Sequence, residues 1–377
     1  MRPFIVIWEM TQACDLACKH CRAEASPNRN SNELDFEESK SLLQEISDFG
    51  LPRPLVVLTG GDPLKREDLY ELISFARNLG LAVAIAPSAT PLLNFESIEK
   101  IHNAGASAIS LSLDAASKEI HDGFRGEPGT FDRTLEAIQS SKKVGLRLQI
   151  NTSVTQATVS ELPKIASMVA GFKVSTWSLF MLVQTGRGKD LVSLTGSETE
   201  DVFYFLKDLS PYIPIKVTEA PHYRRVIEER NQLVELGKDW THILKPGKLY
   251  FDLRTEVEKY DIISGSAIDS DESTQKRPPL VINSGNGFAF ISHIGDVYPS
   301  GFLPVRGGNV REESLSEIYK NSTVFRNLRD YSLYEGKCGV CEFNSVCGGS
   351  RSRAYSMSGN YLGDDPTCNY IPKNSNA

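Results

Sequence analysis

The chain has 377 residues, 40% of them hydrophobic and 24% charged, with a formal net charge of −7, a length sufficient for two domains that need no disulfide staples. The mildly acidic balance argues against a general nucleic-acid binder, which would require a basic face. The apolar run Phe4 to Trp8 is far shorter than the ~20 residues of a membrane span or a secretory h-region, so the expectation is a cytoplasmic protein without membrane contacts.

In chain order, Phe4 to Trp8 reads as a strand, followed by Cys14, Cys18 and Cys21 in ACDLACKHC, a C-x3-C-x2-C spacing. A helical pattern over Phe36 to Phe49 leads to a strand at Leu55 to Leu58. The segment TGGDPL then supplies Gly60, Gly61, Asp62 and Pro63. The glycines permit close backbone approach and the proline fixes the turn. A helix over Arg66 to Leu79 and a strand over Ala82 to Ala86 follow. A further strand, Ser107 to Leu113, ends in SLSLDA, which places Ser112 and Asp114 on one face. Arg125 lies in HDGFRG, its planar fork suited to a carboxylate. Next come a helix over Phe131 to Val144, a strand over Arg147 to Val154 that carries Asn151, a helix over Val159 to Val169 and a strand over Val174 to Leu179. Strands alternating with helices of this length predict right-handed βαβ units and a parallel sheet. Six such units close naturally as a partial (β/α)6 barrel, although periodicity alone also accommodates an open doubly wound sheet.

From Thr195 to Tyr260 the pattern is helical and charged, clearest over Glu198 to Leu209 and Tyr223 to Leu236, and APHYRR gathers His222, Tyr223, Arg224 and Arg225. The polar stretch Ser264 to Pro279 reads as a mobile linker. Beyond it the sequence is turn-rich and holds Cys338, Cys341, Cys347 and Cys368. The expected division is a core over 1–210, a helical connection and linker over 211–279, and a small domain over 280–377.

Seven cysteines are too few and too clustered for a secreted disulfide framework. The first three stand at the C-terminal end of a parallel strand, where α/β proteins build active sites. Three thiolates on one loop can hold three irons of a cubane and leave the fourth open. Structural zinc takes four ligands in paired spacings, and His20 is awkward as the fourth between two cysteines; it reads as a packing or stacking residue. The later four cysteines would saturate one cubane or one zinc equally well.

ACDLACKHC after a first strand resembles the radical S-adenosylmethionine (SAM) enzymes. The resemblance implies that Cys14, Cys18 and Cys21 bind a 4Fe-4S cluster whose fourth iron is chelated by the amino and carboxylate groups of SAM. Reduction of that cluster, by a flavodoxin or ferredoxin, cleaves SAM to methionine and a 5′-deoxyadenosyl radical that takes a hydrogen atom from substrate. TGGDPL matches the family's GGxP-type segment, which assigns Gly60, Gly61, Asp62 and Pro63 to the methionine amino group. Ser112, Asp114 and Asn151 fall near the SAM ribose on the same comparison, and Arg125 faces a carboxylate of SAM or substrate.

The C-terminal segment resembles the auxiliary-cluster domain called SPASM, whose full form has seven cysteines and two auxiliary clusters. Here Ser300 and Arg351 occupy two expected cysteine positions, and the remaining four match the ligand set of one cluster. The resemblance therefore implies one auxiliary 4Fe-4S cluster and two clusters in all. CGVCEFNSVCGGSRSRAY, with GNYLGDDPTC after it, most closely resembles the branch that modifies tetrapyrroles in heme and heme d1 synthesis, by decarboxylating or removing propionate side chains. On that reading His222 is a candidate axial contact to iron, and Arg225 and Arg125 are candidate partners of propionates. One alternative is a maturase of ribosomal peptides or protein side chains. Such enzymes often carry an N-terminal recognition domain, and here the first cluster cysteine is residue 14. Another is a zinc-stabilised binding protein without catalysis, which would leave TGGDPL, SLSLDA and the open three-cysteine site without a purpose.

Overall fold

The computed structural model describes residues 1–262 and 282–373; the linker expected over 264–279 lies outside the described residues. Seven parallel strands follow one another in sequence order: β1 (Ile5–Glu9), β2 (Leu55–Thr59), β3 (Ala82–Ile85), β4 (Ala108–Ser112), β5 (Arg147–Val154), β6 (Thr176–Met181) and β7 (Ile215–Thr218). Between them run α1 (Phe36–Ser47), α2 (Leu69–Asn78), α3 (Phe95–Asn103), α4 (Lys118–Arg125), α5 (Thr130–Val144), α6 (Leu162–Phe172) and α7 (Gly196–Leu209). The result is an α/β partial barrel. Its strands read as nearly continuous β-branched and aromatic runs because both faces are covered, and Val6, Trp8, Val56, Leu58, Ile150 and Trp177 are fully buried. Reciprocal capping boxes start α1 (Asp35 with Glu38), α3 (Asn94 with Ser97) and α7 (Thr195 with Glu198).

The six expected strands are all present. The seventh, β7, falls where a helical connection was expected. Its four residues IKVT stand among charged helical stretches, and pairing with β6 from Trp177↔Ile215 to Phe180↔Thr218 fixes them as strand. Beyond residue 282 the chain does not begin a separate layer. β8 (Phe288–Ile291) joins the free edge of β1 in parallel, and β9 (Asp296–Tyr298) and β10 (Gly308–Asn309) extend the sheet antiparallel, giving ten strands in the order β10-β9-β8-β1-β2-β3-β4-β5-β6-β7. A change of role near residue 280 thus does not coincide with a break in the sheet. Among the described residues, no helix is long and apolar enough to cross a membrane.

One buried cation anchors the entry to the first cysteine loop. Arg66 is 2% exposed and donates from Nη1 to the carbonyls of Met10 (3.2 Å) and Leu34 (3.0 Å), from Nη2 to Ser39 Oγ (3.2 Å) and from Nε to Asp68 (2.8 Å). Replacing it by Met would leave two core carbonyls and Asp68 without their partner. Arg66→Met is expected to cost about 3 kcal/mol or more in urea unfolding; a midpoint equal to the parent's would show that the guanidinium is dispensable.

Candidate active site

The loop that carries Cys14, Cys18 and Cys21 has almost no secondary structure of its own and is held by backbone from three neighbouring loops. After β2, Gly61 N–H donates to Thr11 O (2.8 Å) and Asp62 N–H to Ala13 O (2.6 Å). The chains are so close that a Cβ on Gly60 would fall 2.4 Å from Thr11 O, and one on Gly61 2.4 Å from Ala13 O. At the end of α4, Lys19 N–H donates to Phe124 O (3.0 Å), and a Cβ on Gly126 (φ +75°) would lie 2.6 Å from Ala17 O. After β6, Arg187 N–H donates to Cys21 O (3.0 Å) while its side chain donates to Cys18 O (2.9 Å) and Ala25 O (3.1 Å). Gly186 (φ +52°) presses there on Cys21 O, with 2.5 Å left for a Cβ. The glycines of TGGDPL therefore serve first to seat the cysteine loop.

The three cysteines line one cavity of about 240 Å³ at the C-terminal ends of the strands, together with Gly60, Gly61, Ser112, Asn151 and Arg125. Asp62, Pro63 and Asp114 do not reach its surface. Asp62 is fully buried and accepts from Leu64 N–H, Ser88 N–H and Thr90 Oγ, which fixes the loop after β3. Ser88 in turn reaches the cavity, where it accepts from the Cys14 thiol (3.5 Å) and donates to Gly61 O (2.7 Å). Gln149 donates to Asn151 Oδ1 (2.7 Å).

Asp114 lies beneath the site and orders it electrostatically. Its Oδ2 accepts from Arg125 Nε (2.7 Å) and its Oδ1 from Ser153 N–H (2.8 Å). Burial alone would raise the Asp114 carboxyl, but Arg125, with His20 and His121 behind it, holds it down at about 2. Arg125 also points Nη1 toward Cys18 Sγ at 4.0 Å, so one guanidinium faces both a carboxylate and a cluster thiol. Burial pushes the Cys14 and Cys18 thiols up, and bound iron is what would let them serve as thiolates. His20 stacks on Phe124 (4.6 Å between centroids, 9° between planes), a packing role. His121 is fully buried on the cavity wall; its Nδ1 accepts from Asp114 N–H (3.2 Å) and its Nε2 has no partner among the described residues. Three thiols and an unpartnered buried imidazole nitrogen around one cavity suit a cluster with an organic ligand on its open iron.

The four later cysteines line a second, smaller cavity with Arg225, Lys337, Asp365 and Tyr370. Among the described residues, no three His, Cys, Asp or Glu side chains are grouped as ligands of a single ion. Burial pushes Cys347 up to about 12 and Cys368 to about 11.

The structure separates the residues expected to meet substrate. His222 and Arg225 line no part of the barrel-mouth cavity. The APHYRR segment opens the helix Tyr223–Glu235, which packs on α7 beneath the second cysteine group. There Arg225 is held between Glu200 and Glu229 and lies 4.8 Å from the Tyr370 ring. His222 is fully buried, edge-on to Phe203 and 3.6 Å from Asp365, and burial pushes its pKa down to about 3. Of the three candidates, Arg125 alone faces the first cavity. Sequence reasoning did not single out Ser88, His121, Ser153 or Arg187. His121 was visible in HDGFRG, one helical turn before Arg125, and Arg187 in the GRG that follows β6.

An open parallel barrel with a three-thiol loop at its mouth, followed by a four-thiol site, defines a class of iron–sulfur enzyme. Residues 8–168 match the radical SAM superfamily and residues 283–342 the iron-sulfur cluster-binding SPASM domain. The chain belongs to the radical SAM enzymes with a SPASM domain. It is 36% identical to an AdoMet-dependent heme synthase of Oleidesulfovibrio alaskensis, over 98% of this chain and 88% of that protein. It is 34% identical to an AdoMet-dependent heme synthase of Methanosarcina barkeri, over 98% and 97%. The solved structure of anSMEcpe with bound AdoMet superposes with a TM-score of 0.65 at 17% identity, covering 97% of this chain and 94% of that one, which supports the fold.

Two measurements follow from this geometry. Gly186→Ala should displace Cys21 and remove about half of the reconstituted iron while leaving the second site loaded; full iron content would show that the close approach is not needed. His121 is held neutral, its pKa pushed down to about 4 by burial, so an unfolded chain binds the extra proton first as pH falls. Stability from this group is complete above about pH 6.5 and is lost toward pH 4, by up to about 3 kcal/mol. In His121→Asn, whose amide oxygen can still accept from Asp114 N–H, urea unfolding between pH 7 and pH 5 should show a smaller loss than the parent; an equal loss would assign the effect elsewhere.

Proposed function

We propose that the protein converts propionate side chains of an iron tetrapyrrole to vinyl groups by radical decarboxylation, using two 4Fe-4S clusters, one at Cys14, Cys18 and Cys21 and one at Cys338, Cys341, Cys347 and Cys368. The observation that carries this reading is the 34–36% identity, across 98% of the chain, to AdoMet-dependent heme synthases of two organisms. When bound, the first cluster and SAM supply the 5′-deoxyadenosyl radical. Gly60 and Gly61 seat the loop, Ser112 and Asn151 face the ribose, and Arg125 holds a carboxylate. The outer wall, built by Phe180, Met181, Leu182, Val183 and Phe302, is apolar and suits the face of a flat macrocycle. Arg22 stands at its edge, paired with Glu9 (2.7 Å).

In this reaction the –CH2–CH2–COO− chain gives one hydrogen atom to the radical, forming 5′-deoxyadenosine. Departure of CO2 then leaves –CH=CH2 and releases one electron, for which a cluster held by Cys338, Cys341, Cys347 and Cys368 would supply the acceptor. The reduction that starts each cycle comes from a flavodoxin or ferredoxin, in a reducing compartment such as the cytoplasm.

Anaerobically reconstituted enzyme should contain about eight irons, half of them lost when Cys14, Cys18 and Cys21 are replaced by Ala. With dithionite, SAM and iron coproporphyrin it should release 5′-deoxyadenosine together with loss of carboxyl mass, and Cys18→Ser should do neither. An unchanged porphyrin beside a modified peptide would transfer the reading to peptide maturation. Stoichiometric zinc without iron–sulfur absorbance would favour a binding protein.

A further inference from the structure

The resemblance to the fuller SPASM cysteine set places Ser300 and Arg351 at ligand positions, and in this structure each has another partner. Ser300 Oγ donates to Glu219 Oε1 (2.8 Å), whose Oε2 accepts from Ser350 Oγ (3.1 Å), so a carboxylate bridge ties these segments together. Arg351 is fully buried at the start of the helix Arg351–Ser358. Its Nη1 donates to the carbonyls of Tyr361 (3.2 Å) and Gly363 (2.7 Å), and its guanidinium carbon lies 4.6 Å from the Tyr334 ring centre. Its Nη2 donates to Cys338 Sγ at 3.4 Å. Gly349 makes that contact possible: at φ +65°, a Cβ there would lie 2.5 Å from Arg351 Nη2 and 3.1 Å from Cys338 Sγ.

A fully buried cation requires an anion. The nearby carboxylate Asp365 is committed to Arg353 (3.2 Å), and among the described residues Arg351 has no carboxylate partner. Its contact with Cys338 Sγ means that the thiolates of a bound cluster would supply a counter-charge. A cubane held by four thiolates is anionic and gains a further negative charge on reduction, and hydrogen bonds to its sulfurs and nearby charge set its potential.

We propose that Arg351 is a positioning residue that raises the reduction potential of the auxiliary cluster, acting through the sulfur of Cys338. A position that the resemblance assigns to a ligand would thus serve as a hydrogen-bond donor to the cluster. The proposal rests on the auxiliary cluster assigned above, and on the decarboxylation reading for its use, since a raised potential favours uptake of the electron released with CO2.

The test uses full-length protein carrying Cys14, Cys18 and Cys21→Ala, in which the auxiliary cluster alone contributes to the spectrum. In an anaerobic redox titration followed by electron paramagnetic resonance, Arg351→Gln should lower the midpoint potential, with four irons retained. Arg351→Lys, which keeps the charge but not the fork, should fall between the two. An unchanged potential in Arg351→Gln at full iron content would overturn the proposal. If either variant loses its cluster, the same background labelled with 15N-arginine and carrying Arg225→Lys decides: a 15N coupling to the reduced cluster supports the contact, and its absence refutes it. In enzyme with both clusters, Arg351→Gln should still form 5′-deoxyadenosine from SAM while carboxyl loss from iron coproporphyrin falls severalfold. A shifted potential with no decarboxylation even in the parent would sink the substrate reading and leave the tuning intact; equal potentials with normal decarboxylation would do the reverse.

Discussion

Four glycine-permitted contacts against the carbonyls of residues 11–22 are the constraint on which the rest of the molecule depends. Gly60 bears on Thr11, Gly61 on Ala13, Gly126 on Ala17, and Gly186 on Cys21 and Arg22. A cubane tolerates little error in the placement of its sulfurs, yet the loop that bears them has no ladder to stiffen it. The barrel solves this by bringing the ends of β2 and β6 and of α4 onto the loop backbone, where no side chain intervenes. The contacts after β2 and β6 each bring an N–H to a loop carbonyl, and at α4 the loop's own Lys19 N–H donates to Phe124 O, so the loop's polar groups are satisfied by neighbours that are themselves fixed. Any substituent larger than hydrogen at these sites would move the cysteines before it met a ligand.

Charge is arranged around this loop by the same logic. On one side the buried pair Asp114 and Arg125 stands beneath Cys18. On the other, Glu9 at the end of β1 accepts from Arg22 (2.7 Å), the residue after Cys21, and pairs with His293 Nδ1 (2.9 Å), two residues beyond β8. Burial would raise the Glu9 carboxyl, but Arg22 and His293 lower it on balance. Both carboxylates are buried, so each pair fixes orientation through geometry as well as attraction, and removing either arginine would take from a buried carboxylate its cationic partner.

How much of this could be read from the sequence divides along physical lines. The first six strands and the helices α1, α2, α5 and α6 were legible because strand and helix patterns alternate along that half of the chain. β7 was not: IKVT stands among charged helical stretches, and its identity comes from pairing with β6. The cysteine groups were legible because iron ligation needs few residue types at short spacings. The destination of APHYRR was not: its histidine and arginines would suit a substrate site, but where α8 (Tyr223–Glu235) packs is decided by its contact with α7, a tertiary fact without a local signature. The purpose of TGGDPL was half legible, for glycines announce a close approach without saying to what.

The pairing of β8 with β1 gives the C-terminal segment a direct part in the first cavity. Through that edge the chain after residue 282 is carried to the barrel mouth, where Phe302 forms part of the cavity wall 6.3 Å from Phe180 of β6. Two residues before Phe302, Ser300 is tied to Glu219, and Glu219 to Ser350, which adjoins Arg351 at the auxiliary site. A wall of the first cavity and a donor to the second thiol group therefore lie on one hydrogen-bonded path of a few side chains. The two cysteine groups are far apart in sequence, but the sheet and this carboxylate bridge make them parts of one structure, so the placement of the wall and of the auxiliary cluster is set together.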